Sequence, residues 1–166
     1  KVINVNESMS KIYEELYNVK SEIIFNAPNY KELEIPPDNY FRSKYKISKN
    51  QNIYLYQGGL SPGRGIENIL FNFKKLKEEG HKSSVLIILG NGVLKDLVKK
   101  NAQENELIFH HPYVPMEELS NYTRLADFGL LPYENTCLNH YYCLPNKLFE
   151  YAMSNVTIVA SKLFEL

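Results

Sequence analysis

Neither sign of charge is in excess: 19 basic and 19 acidic side chains leave a formal net charge of zero over 166 residues. An extended nucleic-acid surface needs a basic face, so this balance argues against a nucleic-acid partner. Cysteine is scarce. Cys137 and Cys143 are the only two, too few for a disulfide framework or a zinc site, and they read as reduced cytosolic thiols. No apolar run approaches the roughly 18–20 residues of a membrane span. The opening residues carry no secretory-signal pattern. What the chain does have is apolar content, 44% of its residues, enough for a packed core. Its length suits one domain, or one domain and a remnant of another. It begins at Lys1 and stops at Leu166 within apparent structure, so a fragment of a longer chain is expected.

Residues 1–5 read as a short strand, and Glu7 to Ser10 open a helix with Met9, Ile12, Tyr13 and Leu16 on one face. Residues 22–25 read as a second short strand, ending at Asn26-Ala27-Pro28-Asn29. Residues 28–50 hold three of the eight prolines and many polar side chains. They read as a connector, with residues 1–35 a tail and linker and 36–166 a second unit. Beyond it, strand and helix alternate five times. Strands are expected at 52–57, 84–89, 106–109, 127–131 and 156–160. Helices are expected from Ile66 to near Gly80, around Val93 to Val98, from Pro115 to about Arg124, and around Glu150. The run Ser84-Val85-Leu86-Ile87-Ile88-Leu89 is apolar on both faces, as for a covered strand. The alternation predicts an α/β fold, a Rossmann-like parallel sheet with helices on both faces. There is no internal repeat.

In such a sheet ligands bind beyond the carboxyl ends of the strands. Three of those ends carry suggestive residues. Gly58-Gly59-Leu60-Ser61-Pro62-Gly63-Arg64-Gly65 combines close backbone approach with a guanidinium suited to phosphate oxygens. Gly90-Asn91-Gly92 is a second tight turn. The third runs from Tyr133 to Glu150. There Leu144, Leu148, Tyr151 and Ala152 mark an apolar stripe, and Pro145 suits a first helical turn. Unpaired amides at that helix start favour an anion, Lys147 adds charge, and Glu150 can accept from hydroxyls. A phosphate and a diol side by side describe a nucleotide sugar. The glycine spacing does not fit the Gly-x-Gly-x-x-Gly dinucleotide fingerprint, which argues against a nicotinamide enzyme. His110 and His111 read as a strand end. His140 is a candidate sugar contact, and Tyr133, Tyr141 and Tyr142 are candidates for lining the pocket.

Taken in order, Tyr56-Gln57-Gly58-Gly59-Leu60, Arg64-Gly65-Ile66-Glu67, Leu89-Gly90-Asn91-Gly92, Ala126-Asp127 and Pro145-Asn146-Lys147-Leu148-Phe149-Glu150-Tyr151 resemble the group 1 (family 4-like) glycosyltransferases. The resemblance covers roughly Ile53 to Leu166, the donor-binding C-terminal half of a GT-B fold. Residues 2–28 look like the tail of the acceptor domain. It implies a retaining transfer from a nucleotide sugar to a glycan or lipid-linked acceptor. It further implies no metal or other cofactor, a cytoplasmic location, and peripheral membrane contact through an N-terminal domain.

The resemblance also assigns roles. Arg64 and Glu150 become the catalytic pair, the first at the diphosphate and the second at the ribose. Gly58 and Gly59 start the diphosphate loop, while Gly90 and Gly92 admit the nucleotide. Tyr113 and Val114 flank the base. Tyr142, Leu144, Pro145, Asn146 and Lys147 complete the donor site. Three departures stand out. Tyr142 occupies the place of the family's sugar-contacting acid. Gly59 occupies that of a loop arginine. Ser154-Asn155 replaces a Gly-containing turn, with Asn155 expected in the left-handed conformation. A nucleotide-sugar-binding module without catalysis, and a sugar-nucleotide epimerase of the same architecture, are the competing readings.

Overall fold

A computed structural model describes residues 1–29 and 39–166. The 35/36 boundary expected from sequence lies outside the described residues. The described residues form two parallel sheets. The smaller pairs β1 (Val2–Asn4) with β2 (Ser21–Ile23), joined by α1 (Glu7–Tyr17). Asn6 caps α1, its side-chain oxygen accepting from the Met9 amide at 2.9 Å.

The main sheet has five strands: β3 (Asn52–Gln57), β4 (Ser84–Leu89), β5 (Ile108–His111), β6 (Phe128–Leu131) and β7 (Thr157–Ala160). Their order is β5-β4-β3-β6-β7, and every pairing is parallel. Around them lie α3 (Ile66–Glu78), α4 (Lys95–Glu104), α5 (Met116–Thr123) and α7 (Asn146–Met153). This is the Rossmann-like α/β fold expected from the alternation. The core is where the apolar runs placed it: Ile53, Leu55, Leu86, Ile87, Ile88 and Leu131 have no measurable exposure. Among the described residues no helix is long and apolar enough to cross a membrane.

Two helices are additions to the sequence reading. Residues 40–45, expected to belong to a connector, form α2 (Tyr40–Tyr45). The cause is aromatic packing. Phe41 is buried and meets the His111 and Tyr122 rings at 5.5 and 6.0 Å, while Tyr45 stacks on Phe109 at 4.7 Å. That burial outweighs the polar, charged neighbours that suggested a linker. The four-residue α6 (Leu138–Tyr141) was likewise unforeseen. The expected stripe on α7 is partly corrected. Leu144 precedes the helix and Ala152 is exposed, whereas Tyr151 is fully buried. Asn155 has φ 55°, the left-handed conformation the sequence assigned to it.

β3 lies at the reversal of strand order, with β4 on one side and β6 on the other. β3 pairs with β6 only through Tyr54–Phe128 and Leu55–Gly129. Beyond that the strands part, and the Tyr151 hydroxyl fills the gap. It donates to the Leu55 carbonyl at 3.0 Å and accepts from the Gln57 amide at 3.2 Å. A Cβ on Gly129 would lie 2.5 Å from the Tyr151 ring, so this passage requires glycine. Backbone groups orphaned by the parting are thereby satisfied, and a crevice opens at the switch point, where ligands bind in such sheets.

Candidate functional site

A cavity of about 470 Å³ occupies that crevice. Of the residues singled out from sequence, Gly58, Arg64, Tyr113, Val114, Tyr142, Leu144, Pro145, Asn146, Lys147 and Glu150 line it, as do Tyr133 and His140. Arg64 and Glu150, 86 positions apart, therefore face one space. Gly59, Gly90, Gly92 and Tyr141 are not in the lining.

The glycines outside the lining shape the loop that leads into it. The Gly58 amide donates to the Leu89 carbonyl, and the Leu60 amide to the Asn91 carbonyl, both at 2.9 Å. A Cβ on Gly90 would stand 1.9 Å from the Gly58 carbonyl oxygen, and one on Gly92 would stand 2.4 Å from that of Leu60. These two glycines let the turn after β4 support the loop after β3. On its far side the loop is pinned by the Glu134 amide, which donates to the Gly63 carbonyl at 3.0 Å. Gly59 lies beneath Arg64, whose Nη1 is 3.7 Å from where its Cβ would be.

Arg64 and Lys147 bracket two tyrosines. The Arg64 guanidinium is 5.7 Å from the Tyr133 ring centre, and its Nη1 donates to the Tyr133 hydroxyl at 3.5 Å. Lys147 Nζ lies 4.1 Å from the Tyr56 ring centre and 5.4 Å from that of Tyr133. It sits close to the Gly58 backbone, 3.2 Å from an idealised Cβ there. The Tyr56 hydroxyl is turned to the Gly59 carbonyl at 2.8 Å, and burial holds its pKa above the ordinary tyrosine value.

Lys147 departs furthest from its ordinary chemistry. It is 6% exposed, and its Nζ has no hydrogen-bond partner among the described residues. Burial, reinforced by the Arg64 charge and offset in part by Glu150 and Cys143, lowers its pKa to about 7. The tyrosine faces compensate part of the lost hydration, but a buried ammonium without hydrogen bonds remains costly. The start of α7 adds to this positive field. Pro145 is its N-cap and supplies no side-chain hydrogen bond, so the first-turn amides are not capped by it.

Glu150 follows one turn after Asn146 on α7. Its Oε2 accepts from Gln57 Nε2 at 2.6 Å, and Gln57 Oε1 accepts from Thr123 Oγ1 at 2.8 Å. Gln57 and Thr123 are both buried. Neither was expected from sequence, because a polar residue ending a strand, like Gln57, or a helix, like Thr123, gives no sign of what will cover it. Cys143 also lines the cavity, and burial raises its pKa.

The small β1–α1–β2 unit reaches the same place. Val5, Met9 and Asn26 contribute to the lining, and Asn6 Nδ2 donates to the Tyr142 carbonyl at 2.7 Å. A neighbouring cavity of about 480 Å³ shares Asn26, Met116, Leu119, Asn146 and Glu150 with the first. His110 and His111 close the end of β5. His111 Nδ1 donates to the Pro112 carbonyl at 2.8 Å, and burial lowers the pKa of both rings. Among the described residues no three His, Cys, Asp or Glu side chains form a metal-ligand set.

Solved structures share this architecture. WaaG, described as a glycosyltransferase involved in lipopolysaccharide biosynthesis, superposes with a TM-score of 0.72 at 15% identity over 98% of this chain and 44% of its own. A mutant of S. aureus TarM, in complex with fondaparinux, alpha-GlcNAc-glycerol and UDP, gives 0.67 at 16% identity over 98% of this chain and 30% of its own. A structure described as "Trehalose-6-phosphate from E. coli bound with UDP-2-fluoro glucose" gives 0.62 at 14% identity over 87% and 38%. The chain thus spans less than half the length of each. A search of the curated proteins found no significant match. The family model of the glycosyl transferases group 1 matches residues 38–163. With three quarters of its length inside that match and a GT-B-type Rossmann-like sheet beneath it, the chain belongs to the group 1 glycosyltransferases.

Proposed function

We propose that this chain carries the donor site of a retaining transferase that moves a sugar from a nucleoside diphosphate to a glycan or lipid-linked acceptor. One observation carries the reading. Two cations, Arg64 and the hydrogen-bond-starved Lys147, share a cavity with a carboxylate and a helix N-terminus. A diphosphate supplies the acceptors and negative charge that Lys147 lacks, and a ribose diol supplies donors for Glu150. Glu150 Oε2 is already engaged by Gln57, leaving Oε1 for the diol. In the transfer the bond between the anomeric carbon and the diphosphate oxygen breaks, and the leaving group keeps the electron pair. The acceptor oxygen bonds to that carbon on the same face and passes its proton to the departing diphosphate oxygen. Arg64, Lys147 and the first amides of α7 stabilise the growing charge. The reading requires no cofactor and fits a cytoplasmic enzyme supplied with nucleotide sugar.

The test is nucleoside diphosphate binding by the full-length chain, using UDP, GDP and ADP in turn. Arg64→Ala is expected to weaken the best of them about tenfold or more, the worth of a charge-assisted contact. Unchanged affinity would remove the diphosphate assignment. Tyr142 supports one alternative. It stands in the cavity wall without a carboxylate where the family places the acid that touches the sugar. A binding module of that kind retains the nucleotide sugar and releases no free nucleoside diphosphate when acceptor is added, whereas a transferase does.

A further inference from the structure

We infer that Gln57 is a positioning residue for Glu150, and that Thr123 on α5 sets its orientation. The inference rests on the proposed role of Glu150 as the diol acceptor. Gln57 ends the central strand at the mouth of the cavity, is 1% exposed, and donates from Nε2 to Glu150 Oε2 at 2.6 Å. Its Oε1 is held by Thr123 Oγ1 at 2.8 Å, and Thr123 has no exposed surface.

The amide can lie only one way round. A carboxylate accepts and cannot donate, so an ionised Glu150 demands the NH₂ end of Gln57. The Thr123 hydroxyl then gives its one proton to the other end, 2.8 Å away, in preference to the Leu119 carbonyl that also lies within reach at 2.9 Å, one turn back on α5. Flipped, Gln57 would set its oxygen against the carboxylate. The chain Thr123–Gln57–Glu150 therefore fixes one Glu150 oxygen and leaves the other for a ligand hydroxyl. It also links three parts of the site. The Gln57 backbone runs into the diphosphate loop, Glu150 lies on α7, and α5 carries Met116 and Leu119 of the cavity wall.

A merely structural Gln57 and a positioning one differ in what its loss affects. The experiment compares, for the full-length chain, the affinities of the best-bound nucleoside diphosphate and of its 2′-deoxy and 3′-deoxy forms. In the wild type at least one deoxy form is expected to bind about tenfold more weakly, the worth of a hydrogen bond to a charged group. In Gln57→Leu and in Thr123→Val that ratio is expected to fall to about twofold. Thr123→Ser, which keeps the hydroxyl, is expected to restore it. Thr123→Val acts from a different element and stands in if Gln57→Leu fails to fold. A general structural loss weakens all three nucleotides alike and leaves the ratio at its wild-type value, which overturns the inference. Glu150→Ala separates this failure from failure of the underlying reading. If Glu150→Ala abolishes discrimination while Gln57→Leu and Thr123→Val preserve it, only the positioning role is lost. If Glu150→Ala also preserves it, the diol assignment falls and takes the positioning role with it.

Discussion

Lys147→Met is expected to make the empty protein more stable and a poorer binder of nucleoside diphosphate, and pH tells the two effects apart. Methionine keeps an unbranched apolar side chain only one atom shorter and removes the charge that faces Tyr56. The lysine pKa falls from an ordinary 10.5 to about 7, chiefly because the side chain is buried. At about 1.36 kcal/mol per pKa unit, holding the ammonium in this site costs on the order of 5 kcal/mol below pH 7. The folded pKa is the depressed one. Between the two values the unfolded chain binds more protons than the folded chain, so stability rises with pH across that window. From about pH 7 to about pH 9 the gain from this group is roughly 2 kcal/mol. Urea unfolding of wild type and Lys147→Met at pH 7, 8 and 9 measures it. The difference between the two curves cancels the other titrating groups and isolates Lys147. Lys147→Met should lead by most at the lowest pH, and its lead should shrink by about 2 kcal/mol as the pH rises. Binding runs the other way. On the proposed reading a diphosphate needs the charged lysine, so wild-type affinity is expected to fall above pH 7 by up to about tenfold per unit. In Lys147→Met it should be lower by about 10- to 100-fold at pH 7 and lose that pH dependence. Parallel unfolding curves, or a variant that binds as tightly as wild type, would refute both the buried charge and its role.

Two further predictions concern the frame around the site. Tyr151→Phe deletes the hydroxyl between the parting strands and strands the Leu55 carbonyl and the Gln57 amide. It should cost about 2–3 kcal/mol in denaturant unfolding with little change in far-UV circular dichroism. Phe41→Ala removes the anchor of α2, a side chain 1% exposed against His111 and Tyr122. A loss of about 3–5 kcal/mol by the same measurement is expected, against nearly none if residues 40–45 were only a connector.

The sheet was legible because its strands are written in composition. β3 and β4 fall on the residues expected, 52–57 and 84–89, each built on an apolar run, since strands covered on both faces leave little room for polar residues. α2 was not legible. Its aromatics find partners at 109, 111 and 122, 64 to 81 positions away in sequence, while its neighbours are prolines and charges. In the site, Arg64, Glu150 and the start of α7 could be read because their chemistry is carried by residue type and position. Gly90 and Gly92 could be read as necessary glycines, but their contact is with the loop backbone and not with the cavity. Gln57 could not be read at all, because its meaning lies in Thr123 and Glu150.

Lys147 shows why a residue can be recognised and still be misjudged. Its charge beside a helix start was visible in the sequence, but the burial was not. Burial comes from Tyr56 on β3 and Tyr133 after β6, two elements that meet the start of α7 only once the sheet has formed. Where the family places an arginine on the loop, this chain has Gly59 and sets its second cation on a helix. A loop arginine can swing into solvent when the site is empty. A lysine fixed in the first turn of α7 cannot, so its charge is held against the Arg64 guanidinium and the positive end of the helix with no hydrogen-bond partner among the described residues. On the proposed reading, a bound diphosphate relieves that repulsion, which is why the substitution expected to weaken binding is also the one expected to stabilise the fold.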